Sequence, residues 1–154
     1  MPLSSIFLFH NLSEPHLKRI TDAAKEIRVK KGHWLFHEGD GADRIYVLKN
    51  GAVEMLTRIN DDIELPVTIV RKVGGCFGIS ALVSPYQYSL SSRCAEDAVL
   101  LEIQRKDIEK LIQEDLALGC TIMTNLAQYL LERLKETRQD LKIHFSTLFQ
   151  SIQT

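Results

Sequence analysis

The sequence predicts an α+β chain, mainly β, in which one helix precedes a sandwich or jelly-roll barrel of short strands and further helices follow it. Three observations predict this. Gly32, Gly39 and Gly51 punctuate two short runs, Trp34-Leu35-Phe36 and Ile45-Tyr46-Val47-Leu48, whose β-branched and aromatic content suits strands. Further short apolar runs, broken by Gly, Asp, Asn and Pro, continue as far as Ile103, as closely spaced strands require. Beyond Ile103 the apolar spacing becomes helical and stays so.

The N-terminal stretch 12–27 reads as a helix. Ser13 stands at the N-cap, Glu14 and Pro15 fall in the first turn, and Leu17, Ile20, Ala24 and Ile27 recur at helical spacing. Within the strand region, the glycines mark turns at positive φ, where a side chain would be strained. Residues Ile59 to Ile63 read as a hairpin loop, Leu65 to Val70 as the strand behind it, and Val99 to Ile103 as the last strand. Ile108, Leu111 and Ile112 define a short amphipathic helix. A longer one carries Leu118, Ile122, Leu126, Tyr129, Leu130 and Leu134 on one side, with Glu132, Lys135, Glu136, Arg138, Gln139 and Asp140 on the other. Phe145, Leu148, Phe149 and Ile152 continue an apolar face at the end. The expected organisation is one domain over 1–154: an N-terminal helical segment 1–28, a jelly roll 29–103, and C-terminal helices 104–154.

Bulk properties narrow the function. The 154 residues suffice for one domain with a real core, and 45% hydrophobic with 25% charged residues is ordinary globular composition. Net charge is −1, from 19 basic and 20 acidic residues, so no global field attracts nucleic acid. No apolar run is long enough to span a bilayer, and Met1 to Phe9 lack the positive start of a signal peptide, so a cytoplasmic protein with no membrane partner is expected. Three cysteines, Cys76, Cys94 and Cys120, fit neither a disulfide framework nor a zinc pattern. His33 and His37 are four apart, but in strand-and-turn sequence that spacing does not converge on a metal. No Gly-x-Ser-x-Gly elbow occurs, and no catalytic residue, metal or cofactor is expected.

Gly32, Leu35-Phe36, Glu38-Gly39-Asp40, Ala42-Asp43, Ile45 to Leu48, Gly51 and Val53-Glu54 together resemble the opening of a cyclic-nucleotide-binding domain. The order helix, strands, helices is also that of this family, so the resemblance covers nearly the whole chain and thins after about Leu134. It implies a catabolite-activator-like jelly-roll sensor domain. In that family a Gly-Glu opening, a one-turn helix and a later Arg hold the cyclic phosphate. The Arg offers a rigid fork of donors, the helix end adds backbone N–H groups, and the Glu accepts from the ribose hydroxyl.

Carried onto this chain, the resemblance implies ligand-binding positions at Phe77, Gly78, Ile79, Ser80, Ala81, Leu82, Tyr88 and Ser89. Phe77-Gly78 and Ala81-Leu82 match the family frame, but Ile79 stands at the Glu position and Tyr88 at the Arg position. Losing a bidentate contact to a buried phosphate costs about 2–5 kcal/mol, so cyclic AMP and cyclic GMP are disfavoured as ligands. Ser80, Ser89 and Tyr88 remain as neutral donors. Arg93 is an alternative anion anchor if the alignment shifts.

The resemblance therefore implies a stand-alone regulatory module with a degenerate phosphate cassette, responding to a non-standard small molecule or to a partner protein. Two alternatives stay open: a vestigial pocket on an interaction module that works through its C-terminal helices, and an ordinary cyclic AMP or cyclic GMP sensor using Arg93. Helix-turn-helix sequence is not recognised, and DNA binding by this chain alone is not expected. A homodimer is expected, with Ile122, Leu126 and Tyr129 at its seam.

Overall fold

The computed structural model describes residues 2–153; Met1 and Thr154, the ends of the expected domain, lie outside them. The chain opens with two 3-10 turns, Leu3–Ser5 and Phe7–Phe9, which bury Leu3, Ile6, Leu8 and Phe9. Helix α1 (Glu14–Ala23) follows, with Pro15 in its first turn, where the missing N–H costs nothing. Ser13 occupies the N-cap, but its hydroxyl makes no capping bond and lies 2.9 Å from His16 Nδ1 instead. The helix is shorter than the 12–27 predicted. Ala24 is already extended, and Ile27 belongs to strand β1 (Lys25–Val29), opposite Leu100. Ile27 and Val29 alternate with polar Lys25-neighbouring Glu26 and Arg28, a two-residue period that the helical spacing masks.

Seven more strands follow: β2 (Trp34–Phe36), β3 (Arg44–Asn50), β4 (Val53–Asn60), β5 (Ile63–Val70), β6 (Cys76–Phe77), β7 (Ser91–Cys94) and β8 (Ala98–Gln104). They form two four-stranded antiparallel sheets, ordered β1-β8-β3-β6 and β2-β7-β4-β5. The core includes Ile45, Val47, Leu48, Val53, Leu100 and Ile103, all fully buried. Full burial of each such side chain is worth about 1.5–3 kcal/mol. Gly51 turns β3 into β4 with φ at +94°, and a Cβ there would stand 2.3 Å from the Asp97 carbonyl oxygen. The β4–β5 hairpin is tighter than the predicted loop: only Asp61 and Asp62 separate the strands, with the Asn60 side-chain oxygen accepting from the Asp62 N–H at 3.0 Å. Strand β5 is a sheet edge and carries Pro66, which an edge tolerates because no ladder bond needs its N–H.

Helix α2 (Arg105–Glu114) packs Ile108 and Leu111 into the core. Asp115 then caps α3 (Leu116–Gln153): its carboxylate oxygen accepts from the N–H groups of Ala117 at 3.0 Å and Leu118 at 3.3 Å. The first turns of α3 are bound to the domain. Leu118, Ile122 and Leu126 are buried, and Asn125 Nδ2 donates to the carbonyls of Leu8 at 3.0 Å and His10 at 2.9 Å. From Leu134 to Gln153 every described residue is exposed.

This overturns the expected seam. Ile122 and Leu126 are covered by the chain's own core, and the ring of Tyr129 stacks on Phe7 with centroids 4.1 Å apart. The apolar N-terminal turns take the place that a partner helix was expected to fill.

Candidate ligand site

The eight cassette positions form one continuous corner. Strand β6 pairs with β3, setting Phe77 opposite Tyr46. Gly78 follows in the left-handed region with φ at +76°, and a Cβ would approach the Arg44 carbonyl to 3.3 Å, so the corner turns on a residue without a side chain. The chain then makes a single 3-10 turn, Ile79–Leu82, that buries Ala81 and Leu82 and leaves Ile79 and Ser80 half-buried. The returning loop is pinned to the segment before β3. Tyr88 N–H donates to the Asp40 carbonyl at 2.9 Å, and Gly39 N–H donates to the Tyr88 carbonyl at 2.8 Å.

Tyr88 is not the neutral donor expected of it. Its ring stacks on Phe36 with centroids 3.7 Å apart, and its hydroxyl donates to the Arg44 carbonyl at 2.8 Å. Burial raises the phenol above its usual range, although the bond to Arg44 opposes the shift. Ser80 and Ser89 do lie together, with their hydroxyl oxygens 3.4 Å apart. Among these residues the side chains offer no charge.

Arg93 does not join them. On β7, Ser92 is fully buried, and alternation turns its neighbour Arg93 to the opposite face. There its Nε donates to Glu54 at 2.6 Å and its guanidinium lies 4.9 Å from the centre of the Trp34 ring. It lines a shallow groove with Lys31, Gly32, Trp34 and Glu54, separate from the cassette. The alternative anchor is thereby removed: its charge is already paired on another surface.

A cavity of about 780 Å³ opens beside the cassette, between it, the β5–β6 connection, the N-terminal turns and α3. Phe36, Met55, Phe77 and Tyr88 give it a buried apolar floor. The stacked pair Phe7 and Tyr129 forms part of its wall. Burial raises the Tyr129 phenol, so it stays neutral. Arg71, Lys72, Glu132, Arg133 and Glu136 also line the cavity, from more exposed positions. Cys76 lines it too, but burial pushes its thiol up to about 12, which leaves it protonated and a poor nucleophile or metal ligand. Among the described residues, no group of three His, Cys, Asp or Glu side chains is placed to hold a metal ion. No helix among them is long and apolar enough to cross a membrane.

Phe7, Lys72, Leu130 and Arg133 are cavity residues to which no sequence motif points, and Tyr129 was assigned to a dimer seam. The only available signal was the apolar run Ile6-Phe7-Leu8-Phe9, too apolar to lie in water before a surface helix.

Comparison with known proteins agrees with this geometry. Residues 26–115 match the cyclic nucleotide-binding domain family. Among curated relatives, the anaerobic regulatory protein of Bacillus subtilis is 25% identical over 117 residues, covering 76% of this chain and 49% of the relative. The cAMP-dependent protein kinase regulatory subunit of Blastocladiella emersonii is 26% identical over 108 residues, covering 70% of this chain and 27% of the relative. The chain thus spans at most about half the length of these relatives. Among solved structures, a putative cyclic nucleotide-binding protein from Geobacter metallireducens superposes with a TM-score of 0.72 at 29% identity, covering 82% of this chain and 91% of that one. The catabolite activator protein of Thermus thermophilus also gives 0.72, at 26% identity, covering 89% of this chain and 62% of that one.

Proposed function

The chain belongs to the cyclic nucleotide-binding domain family, and from that premise we propose that it is a non-catalytic regulatory module whose cassette no longer anchors a cyclic phosphate. One observation carries the reading. The two positions where the family places a carboxylate and a guanidinium hold Ile79 and Tyr88, and Tyr88 is committed to Phe36 and to the Arg44 carbonyl. The nearest later arginine, Arg93, is committed to Glu54. A cyclic nucleotide placed here would desolvate its phosphate and ribose hydroxyl without gaining the charge-assisted bonds that offset that cost.

The cavity supports a different ligand acting through the same mechanics. It is bounded on one side by the cassette and on the other by Tyr129 and Leu130 of α3. A molecule bound there would contact both the barrel and the helix, and whichever helix position it binds better becomes the populated one. The three unpaired cysteines support a reducing, cytoplasmic setting. Titration calorimetry tests the core of this reading. Cyclic AMP and cyclic GMP are expected to bind more weakly than about 100 μM, above about −5.5 kcal/mol by the usual conversion. A dissociation constant in the low micromolar range overturns it.

A homodimer through the distal part of α3 completes the proposal. Leu131, Arg138, Phe145 and Ile152 repeat every seven residues, and so do Leu134, Leu141 and Leu148, offset by three. These are the a and d positions of a coiled coil, over roughly 32 Å of helix. The six apolar members are all exposed, from 45% for Leu134 to 79% for Ile152. A parallel pairing is favoured, because an antiparallel one would bring the e-position residues Lys135 and Lys142 of the two helices together.

A further inference from the structure

The charged groups around the cassette cavity are unequally occupied. Arg133 Nη1 bonds Glu136 at 2.9 Å, Glu132 receives Lys135 at 3.3 Å, and Arg71 reaches out of the cavity to Glu96 at 2.9 Å. Among the described residues, that leaves Lys72 as the lining cation with no carboxylate partner. Its backbone is held in place: the Gly75 N–H donates to the Lys72 carbonyl at 2.9 Å, while Gly74 N–H donates to Leu48 at 2.8 Å and Leu48 N–H to Gly75 at 2.9 Å, tying the β5–β6 connection to β3. A flexible ammonium therefore stands on a fixed base beside a cavity whose floor is aromatic and uncharged.

These two features select one chemistry. Five aromatic rings, those of Phe7, Phe36, Phe77, Tyr88 and Tyr129, line the cavity and favour a flat apolar body, by burial and by offset stacking. A cation is repelled by Lys72, and a neutral ligand gains nothing from it. A dianion exceeds what the lining can balance, since it carries three cations, Arg71, Lys72 and Arg133, against the acids Glu132 and Glu136. We propose that the cavity takes an aromatic monocarboxylate, its ring system among the floor side chains and its carboxylate turned outward to Lys72. This rests on the reading that the cassette does not hold a cyclic phosphate. It also fits the neutral cassette: with the ligand's charge met by Lys72, Ile79 and Tyr88 are left to its apolar part.

The probes are 1-naphthoate and its neutral counterpart 1-naphthamide, titrated separately into the full chain. The acid is expected to bind about three- to fivefold more tightly than the amide in low salt, with the gap shrinking as sodium chloride screens the exposed ammonium. Lys72→Gln should close the gap without altering the affinity of the amide, and Lys72→Arg should keep it. Lys72 is exposed, so unchanged thermal midpoints are expected for both variants. Equal binding of acid and amide overturns the proposal while leaving an apolar cavity in place. A gap that survives Lys72→Gln, or no binding of either probe up to about millimolar concentration, overturns it as well. Low-micromolar binding of cyclic AMP is a separate outcome, which removes the underlying reading of the cassette.

Discussion

Replacing Leu141 by alanine should weaken self-association by a predictable amount. Leu141 is 56% exposed in the single chain and falls at the centre of the heptad stripe on α3. Full burial of a leucine side chain is worth about 1.5–3 kcal/mol, so covering its exposed half is worth about 0.8 to 1.5 kcal/mol per chain, and about 1.5 to 3 kcal/mol for the two chains of a dimer. At 1.4 kcal/mol per tenfold, Leu141→Ala should raise the dimer dissociation constant roughly 10- to 140-fold. Ile143 provides the control. It is 55% exposed on the same helix but lies off the a and d positions, and Ile143→Ala should leave the dimer within about threefold of the parent. Arg138 occupies an a position, where a charge lowers stability, so Arg138→Leu should tighten the dimer. Sedimentation equilibrium from 1 to 100 μM, on the order of the affinity expected for a short coiled coil, reads all three variants. The seam is refuted if the parent is monomeric throughout, or if Leu141→Ala and Ile143→Ala behave alike.

Four other outcomes are expected. Ile79→Glu combined with Tyr88→Arg should give measurable cyclic nucleotide binding by calorimetry, at a cost in stability from losing the stack on Phe36 and the bond to Arg44; a folded double variant with no gain would show that these are not the anchor positions. Gly51→Val should destabilise more than Gly39→Val in thermal denaturation. Both need positive φ, worth about 1–2 kcal/mol for a side chain, but only Gly51 also meets a carbonyl oxygen at 2.3 Å; the reverse order would contradict the packing of the β3–β4 turn. In the folded protein a thiol reagent at pH 8 should modify exposed Cys120 and spare Cys76 and Cys94, whose thiols burial pushes up to about 12 and about 11. Because the folded value of Cys76 lies above its ordinary 9.0, its contribution to stability is intact below about 9 and declines as pH rises from there towards about 12. Urea unfolding at pH 7.5 and 9.5 should therefore show a smaller alkaline loss in Cys76→Ala than in the parent, and equal losses would refute the assignment.

Local chemistry made much of the fold legible before any contact was known. Short β-branched and aromatic runs broken by turn residues located the strand region, and the helical period located the helices, because a helix must turn its apolar side one way. Gly39 and Gly51 announced turns because few other residues accept their backbone angles. The corner from Phe77 to Leu82 was located by the family resemblance, and the structure supplies its physical reason: Gly78 permits the reversal and Ala81-Leu82 are buried beneath it. Where two periods coincided the sequence was ambiguous, and Ile27 went to β1 through its pairing with Leu100, a contact that α1 could not offer.

What the sequence determined by itself was therefore the kind of each element and the residue types at the cassette, since both follow from neighbours along the chain. The tertiary structure decided which surface each side chain serves. An apolar stripe states that something must cover it and leaves the partner open: Ile122 and Leu126 are covered by the chain's own core, while Leu134, Leu141 and Leu148 on the same helix remain bare. A hydroxyl or a guanidinium likewise states a capacity whose use depends on distant atoms. Tyr88 bonds the carbonyl of Arg44, Arg93 bonds Glu54, and Phe7 meets Tyr129, and none of these pairs is close in sequence. Such contacts are fixed when the sheets and helices close around a common core, because only packing sets which long-range partners come within bonding distance.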